Sequence, residues 1–151
     1  MGDFNAGDRS VRVVVIEDNP DDRELLSRQL RKSGMDSHVK FIADGQEALD
    51  FLTGPQAPPT ENIIAILLDL RLPSLGGLDL LRHLRARTDF RNVPVTVMTS
   101  SNDPNDLEEC RKLNVISYVA KPVTLSSFSK AVADVFHPPK SAANPLEKSV
   151  T

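Results

Sequence analysis

The stretch Ile63–Asp79, IIAILLDLRLPSLGGLD, constrains the fold of this chain more than any other. Its opening run, Ile63 to Leu68, is apolar without interruption, which does not suit a strand with one wet face. Such a run fits a central strand of a parallel sheet, covered by helices on both sides. It ends on a carboxylate, Asp69, and Pro73, Ser74, Gly76 and Gly77 then form a turn before a helix that reads from about Leu78. In open α/β sheets ligands bind beyond the strand ends, so Asp69 stands where chemistry is expected. A merely solvated strand-end aspartate fits these residues equally well.

The rest of the chain repeats the alternation. Val11–Ile16 is a β-branched strand ending on Glu17 and Asp18. Asn19 caps the following helix, with Pro20 at its first position and Asp21 and Asp22 in its first turn. Leu25, Leu26 and Leu30 give that helix a buried stripe, and Gly34 ends it. His38–Ala43 reads as a short strand, Asp44-Gly45 as a turn, and Ala48, Leu49 and Leu52 as the inner face of a second helix. Thr53–Asn62, with three prolines, is a long loop. Leu78, Leu81 and Leu84 mark a third helix, and Val93–Met98 a fourth strand ending on Thr99-Ser100-Ser101. Asn102 or Asp103 caps the next helix, which Pro104 opens and whose Leu107, Cys110 and Leu113 face inward. Val115–Ala120 is a fifth strand ending on Lys121-Pro122. Thr124 caps a last helix carrying Leu125, Phe128, Val132 and Val135, stopped by His137-Pro138-Pro139. Residues 1–10 are expected to be a flexible N-terminus, 11–137 one domain, and 138–151 a polar tail.

Five strand–helix alternations imply a parallel sheet with helices on both faces. Right-handed crossovers leave 2-1-3-4-5 as the expected order of a doubly wound five-stranded sheet. That order makes the first and third strands neighbours and brings Glu17, Asp18 and Asp69 to one edge. Thr99 and Lys121 arrive at the same edge from the fourth and fifth strands.

Carboxylates about 4 Å apart repel by roughly 4 kcal/mol per pair at an effective dielectric near 20. Three of them call for a cation or for shifted protonation. Oxygen-only ligands beside an open gap point to Mg²⁺, which keeps waters and binds phosphate. Lys121 is a point charge suited to a phosphoryl group, with the Thr99 hydroxyl as a neutral donor beside it. A carboxylate can itself be the nucleophile of phosphoryl transfer, giving an aspartyl phosphate. His38, His83 and His137 share no motif, so no catalytic triad competes.

The chain carries 18 basic and 21 acidic residues, a net charge of −3, which offers no electrostatic reason to expect nucleic acid or an acidic membrane as partner. A single cysteine, Cys110, precludes an internal disulfide and fits a reducing cytoplasm. No apolar run is long enough to span a bilayer and no signal-peptide pattern opens the chain. The expected location is the cytoplasm.

With EDNP at 17–20, LLDLRLP at 67–73, the Thr99-Ser100 strand end, Tyr118 and Lys121-Pro122, the chain resembles the response-regulator receiver domain of two-component signalling, the CheY-like family. Thr99 and Lys121 follow Asp69 by 30 and 52 residues, spacings that fit the family. The resemblance covers about residues 11–137 and implies a flavodoxin-like fold. It implies that Asp69 accepts a phosphoryl group from a sensor histidine kinase, and that Lys121 and Thr99 serve the transfer. It further implies that Glu17, Asp18 and Asp69, with the backbone carbonyl of Arg71, hold Mg²⁺, and that Thr99 and Tyr118 form the switch reporting phosphorylation. Such a chain is a signalling phosphoacceptor rather than an enzyme. The DNPDD start, the long loop at 53–62 and the VMTSS strand end look like stand-alone receivers that partner phytochrome-type histidine kinases; an intermediate place in a phosphorelay, with a phosphotransfer protein as partner, is the alternative to a terminal regulator. The same resemblance implies a cis Lys121-Pro122 bond. Stand-alone receivers often pair, and Leu146 and Val150 of the tail could anchor a homodimer. One departure stands out: Arg71, long and cationic, occupies a position that in receivers borders the phosphoryl group and helps set its lifetime.

Three rival functions remain on the residues alone. A metal-dependent phosphatase with an aspartate nucleophile typically wants a second Asp where Arg71 stands. A flavin-binding module could share the strand order. A receiver-like interaction domain that is never phosphorylated would have no need of the intact acidic edge.

Overall fold

A computed structural model of the protein describes residues 10–99, 103–115 and 117–136, with side chains through 133. The expected features at 1–9, at 100–102 and in the tail from 137 lie outside the described residues, as does the Val135 side chain. Strands and helices alternate: β1 (Val13–Ile16), α1 (Pro20–Ser33), β2 (Val39–Ile42), α2 (Gly45–Thr53), β3 (Ala65–Asp69), α3 (Gly77–Arg85), β4 (Val95–Thr99), α4 (Pro104–Lys112), β5 (Ser117–Ala120) and α5 (Leu125–Phe136). All strand pairs are parallel, in the expected order β2-β1-β3-β4-β5.

The uninterrupted apolar run of β3 has the expected cause. Ile66, Leu67 and Leu68 are fully buried, each worth roughly 1.5–3 kcal/mol of burial. Alternate residues feed two separate cores. Val14, Ile16, Ile66 and Leu68 pack with Leu52 of α2 and Leu80, Leu81 and Leu84 of α3. Val13, Val15, Ala65, Leu67 and Met98 pack on the other face with Leu26 and Leu30 of α1 and Phe128 of α5. A part-buried polar pair links neighbouring strands, Thr96 Oγ1 and Ser117 Oγ at 2.6 Å, register partners of β4 and β5.

The caps follow local chemistry. The Asn19 side chain accepts from the Asp21 and Asp22 amides, Gly34 ends α1 at φ 78°, and Asp103 caps α4 by accepting from the Asn105 amide. Thr124 Oγ1 accepts from the Ser127 amide at 3.2 Å, at the start of α5.

Several boundaries differ from expectation. β1 begins at Val13 and β3 at Ala65, because the ladder runs only where neighbouring strands are in register (Val13 with Val39 and Ala65); Val11 and Ile63 are still buried. β2, β4 and β5 are trimmed or shifted by one or two residues for the same reason. Asp44-Gly45 is no free turn: Asp44 caps α2, accepting from the Glu47 amide, and Gly45 is its first residue. The loop at 53–62 closes with a 3₁₀ turn, Thr60–Asn62. Leu25 does not join the buried stripe of α1 and stands 36% exposed, while in α3 it is Leu80 rather than Leu78 that is fully buried with Leu81 and Leu84. Leu107 and Leu113 are only half-buried, leaving Cys110 as the inner residue of α4.

Candidate functional site

The site is assembled at the C-terminal edge of the sheet from three strand ends and a turn. The Glu17 amide donates to the Ile42 carbonyl at 2.9 Å, so the ladder carries one residue beyond β1. The turn after it is held from two sides. The Asn19 amide donates to Glu17 Oε2 at 2.9 Å, and Arg23 Nη1 donates to the Glu17 carbonyl at 2.9 Å. Asp69 closes β3, paired in register with Met98. Its Oδ1 accepts from the Arg71 amide and its Oδ2 from Lys121 Nζ, both at 2.9 Å. Lys121 is brought in by its amide, which donates to the Thr99 carbonyl at 3.0 Å, and the Lys121–Pro122 bond is cis as expected.

Lys121 Nζ is shared. It lies 2.9 Å from Asp69 Oδ2, 3.1 Å from Glu17 Oε1 and 3.6 Å from Asp22 Oδ2. Glu17 and Asp69 are each 3% exposed, whereas Asp18 is open to solvent. Burial raises the pKa of Glu17; the Asn19 amide and Lys121 oppose this, the charge of Asp69 adds to it, and the balance lies above the usual value. Burial works against the Lys121 ammonium, but its hydrogen bonds to Asp69 and Glu17 and their charges prevail and hold its pKa above the ordinary lysine range.

Carboxylate oxygens of Glu17, Asp18 and Asp69 lie within 4.8 Å of one another. An all-oxygen set with two buried members and one solvent-facing member suits a hard divalent cation whose remaining positions are filled by water. The residues fit Mg²⁺. Thr99 ends β4 beside Asp69, and the two share a narrow cleft whose other described walls include Arg71, Asp106 and Leu107. Tyr118 lies on β5 and is 41% exposed. Cys110 is buried in α4, and that burial pushes its thiol up to about 11.

The model of the response regulator receiver domain matches residues 13–133. The chain belongs to that family.

Among solved structures, this receiver is similar to the bacteriophytochrome response regulator AtBRR, at 36% identity over 83% of this chain and 93% of that one, with a TM-score of 0.68. It is similar to response regulator Rcp1 of Synechocystis in its Mn²⁺-bound form, at 30% identity, covering 82% and 91% of the two chains with a TM-score of 0.63. A third likeness is the receiver domain of the sensor histidine kinase PA1611 from Pseudomonas aeruginosa, solved with magnesium in its active-site cleft, at 28% identity, 87% and 99% coverage and a TM-score of 0.66. Other relatives are longer proteins, of which this chain spans 57% in one case and 18% in another.

The receiver fold thus brings together Glu17, Asp18, Asp69, Thr99 and Lys121, and leaves Tyr118 toward solvent. Two further acids are drawn in that sequence reasoning did not single out for the site. Asp22 reads as a helix-start acid yet shares Lys121, the only hint being the doubled Asp21-Asp22. Asp106, in the first turn of α4, lies across from Arg71, its carboxylate 4.0 Å from Arg71 Nη2; no local pattern marks it.

Proposed function

We propose that Asp69 accepts a phosphoryl group from the phosphohistidine of a sensor histidine kinase, in a receiver that signals rather than turns over substrate. The observation carrying this reading is Lys121 Nζ at 2.9 Å from a buried Asp69 carboxylate, with the oxygens of Glu17 and Asp18 gathered beside it. In the transfer, a carboxylate oxygen of Asp69 attacks phosphorus. The P–O bond forms as the P–N bond breaks, and the imidazole leaves with the electron pair and takes up a proton. Lys121 stays charged and balances the incoming oxygens. Glu17, Asp18, Asp69 and the Arg71 backbone carbonyl would hold Mg²⁺, which when bound neutralises phosphoryl charge. Magnesium and manganese in the PA1611 and Rcp1 structures support that assignment.

The reporting switch in this reading is the pair Thr99 and Tyr118. The phosphoryl group draws in the Thr99 hydroxyl, and Tyr118 turns inward from its 41% exposed position, altering the surface of α4, β5 and α5. Thr99→Ala and Tyr118→Ala then uncouple partner binding from labelling. The likeness to AtBRR supports a phytochrome-type kinase as the donor. A phosphorelay intermediate, fed by or feeding a phosphotransfer protein, would use the same acceptor. Residues 11–137 would act as the receiver unit, with the tail contributing to a homodimer.

The test is labelling by a small acyl phosphate. Wild-type protein is expected to take up one phosphoryl group in Mg²⁺, Asp69→Asn none, and chelation to abolish uptake. Undiminished labelling of the variant removes Asp69 from the role.

A further inference from the structure

The cleft between Asp69 and Thr99 measures about 10 Å³, close to the least that a single water needs. A phosphoryl group is larger, so one carried on Asp69 comes up against the walls of this cleft. Two walls are strand ends of the central sheet, backed by fully buried Leu68 and Met98. The other described walls are the β3–α3 loop, with Leu70 and Arg71, and the first turn of α4, which supplies Asp106 and Leu107. Of the nine residues of α4 only Cys110, in its second half, is buried, and the Arg82–Glu109 ion pair at 3.3 Å ties that same half to α3. The first turn is therefore the lightly held end.

Charge points the same way. Arg71 Nη2 lies 4.0 Å from Asp106 Oδ2, a contact between the β3–α3 loop and α4. A phosphoryl group on Asp69 offers the guanidinium fork a dianionic, multidentate partner that outbids one carboxylate. Asp106 then loses its cation and at once faces like charge across the cleft.

We infer that Asp106 is a positioning residue through which phosphorylation displaces the first turn of α4, by loss of its Arg71 contact and by direct repulsion. The inference rests on the reading of Asp69 as acceptor, and the coupling runs in parallel with Thr99 and Tyr118. α4 pivots on Cys110 and the Arg82–Glu109 pair.

Hydrogen exchange of the α4 amides from Leu107 to Cys110 tests this, in the full chain, before and after labelling with acetyl phosphate and Mg²⁺. In wild type, exchange is expected to quicken about tenfold on labelling, as local opening of one helical turn allows. In Asp106→Asn the change should shrink to less than about twofold, since repulsion and ion pair are both gone. Asp106→Lys should reverse the sign, with labelling slowing exchange as attraction replaces repulsion. Equal quickening in all three proteins overturns the inference even though Asp69 is labelled. Failure to label wild-type Asp69 overturns the acceptor reading itself, and this coupling with it.

Discussion

Arg85, the last residue of α3, satisfies carbonyls rather than a carboxylate partner. Its Nη1 donates to the Phe90 and Val93 carbonyls at 2.8 Å and to Arg91 at 3.2 Å, while Nε reaches the Leu113 carbonyl at 2.8 Å and Nη2 that of Asn114 at 3.2 Å. One guanidinium thereby joins the end of α3 to the approach to β4 and to the turn after α4. Burial lowers its pKa, but an arginine stays charged at any working pH. Hydrogen bonds to charged groups are worth about 1.5–3 kcal/mol each, and their loss here strands several part-buried acceptors. Arg85→Ala is expected to cost about 3 kcal/mol in urea unfolding, with unchanged m-value. Arg85→Lys should recover little, because an ammonium has no planar fork to span five carbonyls. A variant as stable as wild type would show that water replaces the guanidinium. Nothing in the neighbouring sequence distinguishes Arg85 from Arg82 or Arg87, which make exposed ion pairs instead; its role exists only because Leu113, 28 residues on, folds beside it.

At the level of elements, a close contact lies where α3 starts under the end of β3. A Cβ on Gly77 would sit 2.5 Å from the Asp69 carbonyl oxygen and 2.6 Å from Leu70 Cα, both backbone atoms that cannot swing aside. Gly45 at the start of α2 is pressed likewise against the Leu75 carbonyl. The same loop is tied down by Ser74, at φ 61°, whose hydroxyl donates to Asp44 Oδ1 at 2.7 Å, and by the Gly45 amide, which donates to the Pro73 carbonyl at 3.4 Å. Gly77→Ala is expected to cost about 2 kcal/mol, as overpacking does, and to slow acceptance of a phosphoryl group because the Asp69 backbone must move. Gly76→Ala is the control: open space surrounds its Cβ position and its φ of −64° suits any residue, so stability and labelling should stay at wild-type levels. Thermal unfolding and labelling rates check both, and equal behaviour of the two variants would refute the packing argument. The sequence marks both glycines as turn formers, but which of them needs the missing side chain depends on the strand lying beneath.

For the molecule as a whole, the two helical layers enclose separate cores, and Glu17, Asp18, Asp69, Thr99 and Lys121 come to one edge. The proposed homodimer would have Leu146 and Val150 of the tail in the interface, with Pro138-Pro139 expected from the sequence to stiffen the exit from the last helix. Truncation after His137 is expected to halve the mass seen by light scattering, from dimer to monomer, and to leave labelling of Asp69 unaffected. An unchanged dimer would remove the tail from the interface, and a monomeric full-length chain would end the proposal.

The sequence by itself determined the α/β class, the strand order and the carboxylates at the strand ends, together with the cap Asn19 and, as one of two neighbouring choices, the cap Asp103. Each of these follows from chemistry within a few residues: an apolar run that tolerates no wet face, a capping side chain reaching amides two or three positions on, and crossovers with one permitted hand. Tertiary structure alone decided that Leu25 faces solvent, that Asp22 shares Lys121, that Asp106 stands across from Arg71 and that Gly77 has no room for a methyl group. Those outcomes depend on which elements come to lie side by side and at what distance. Separations of 99 residues between Asp22 and Lys121, or of 35 between Arg71 and Asp106, leave no local pattern from which such a distance could be read.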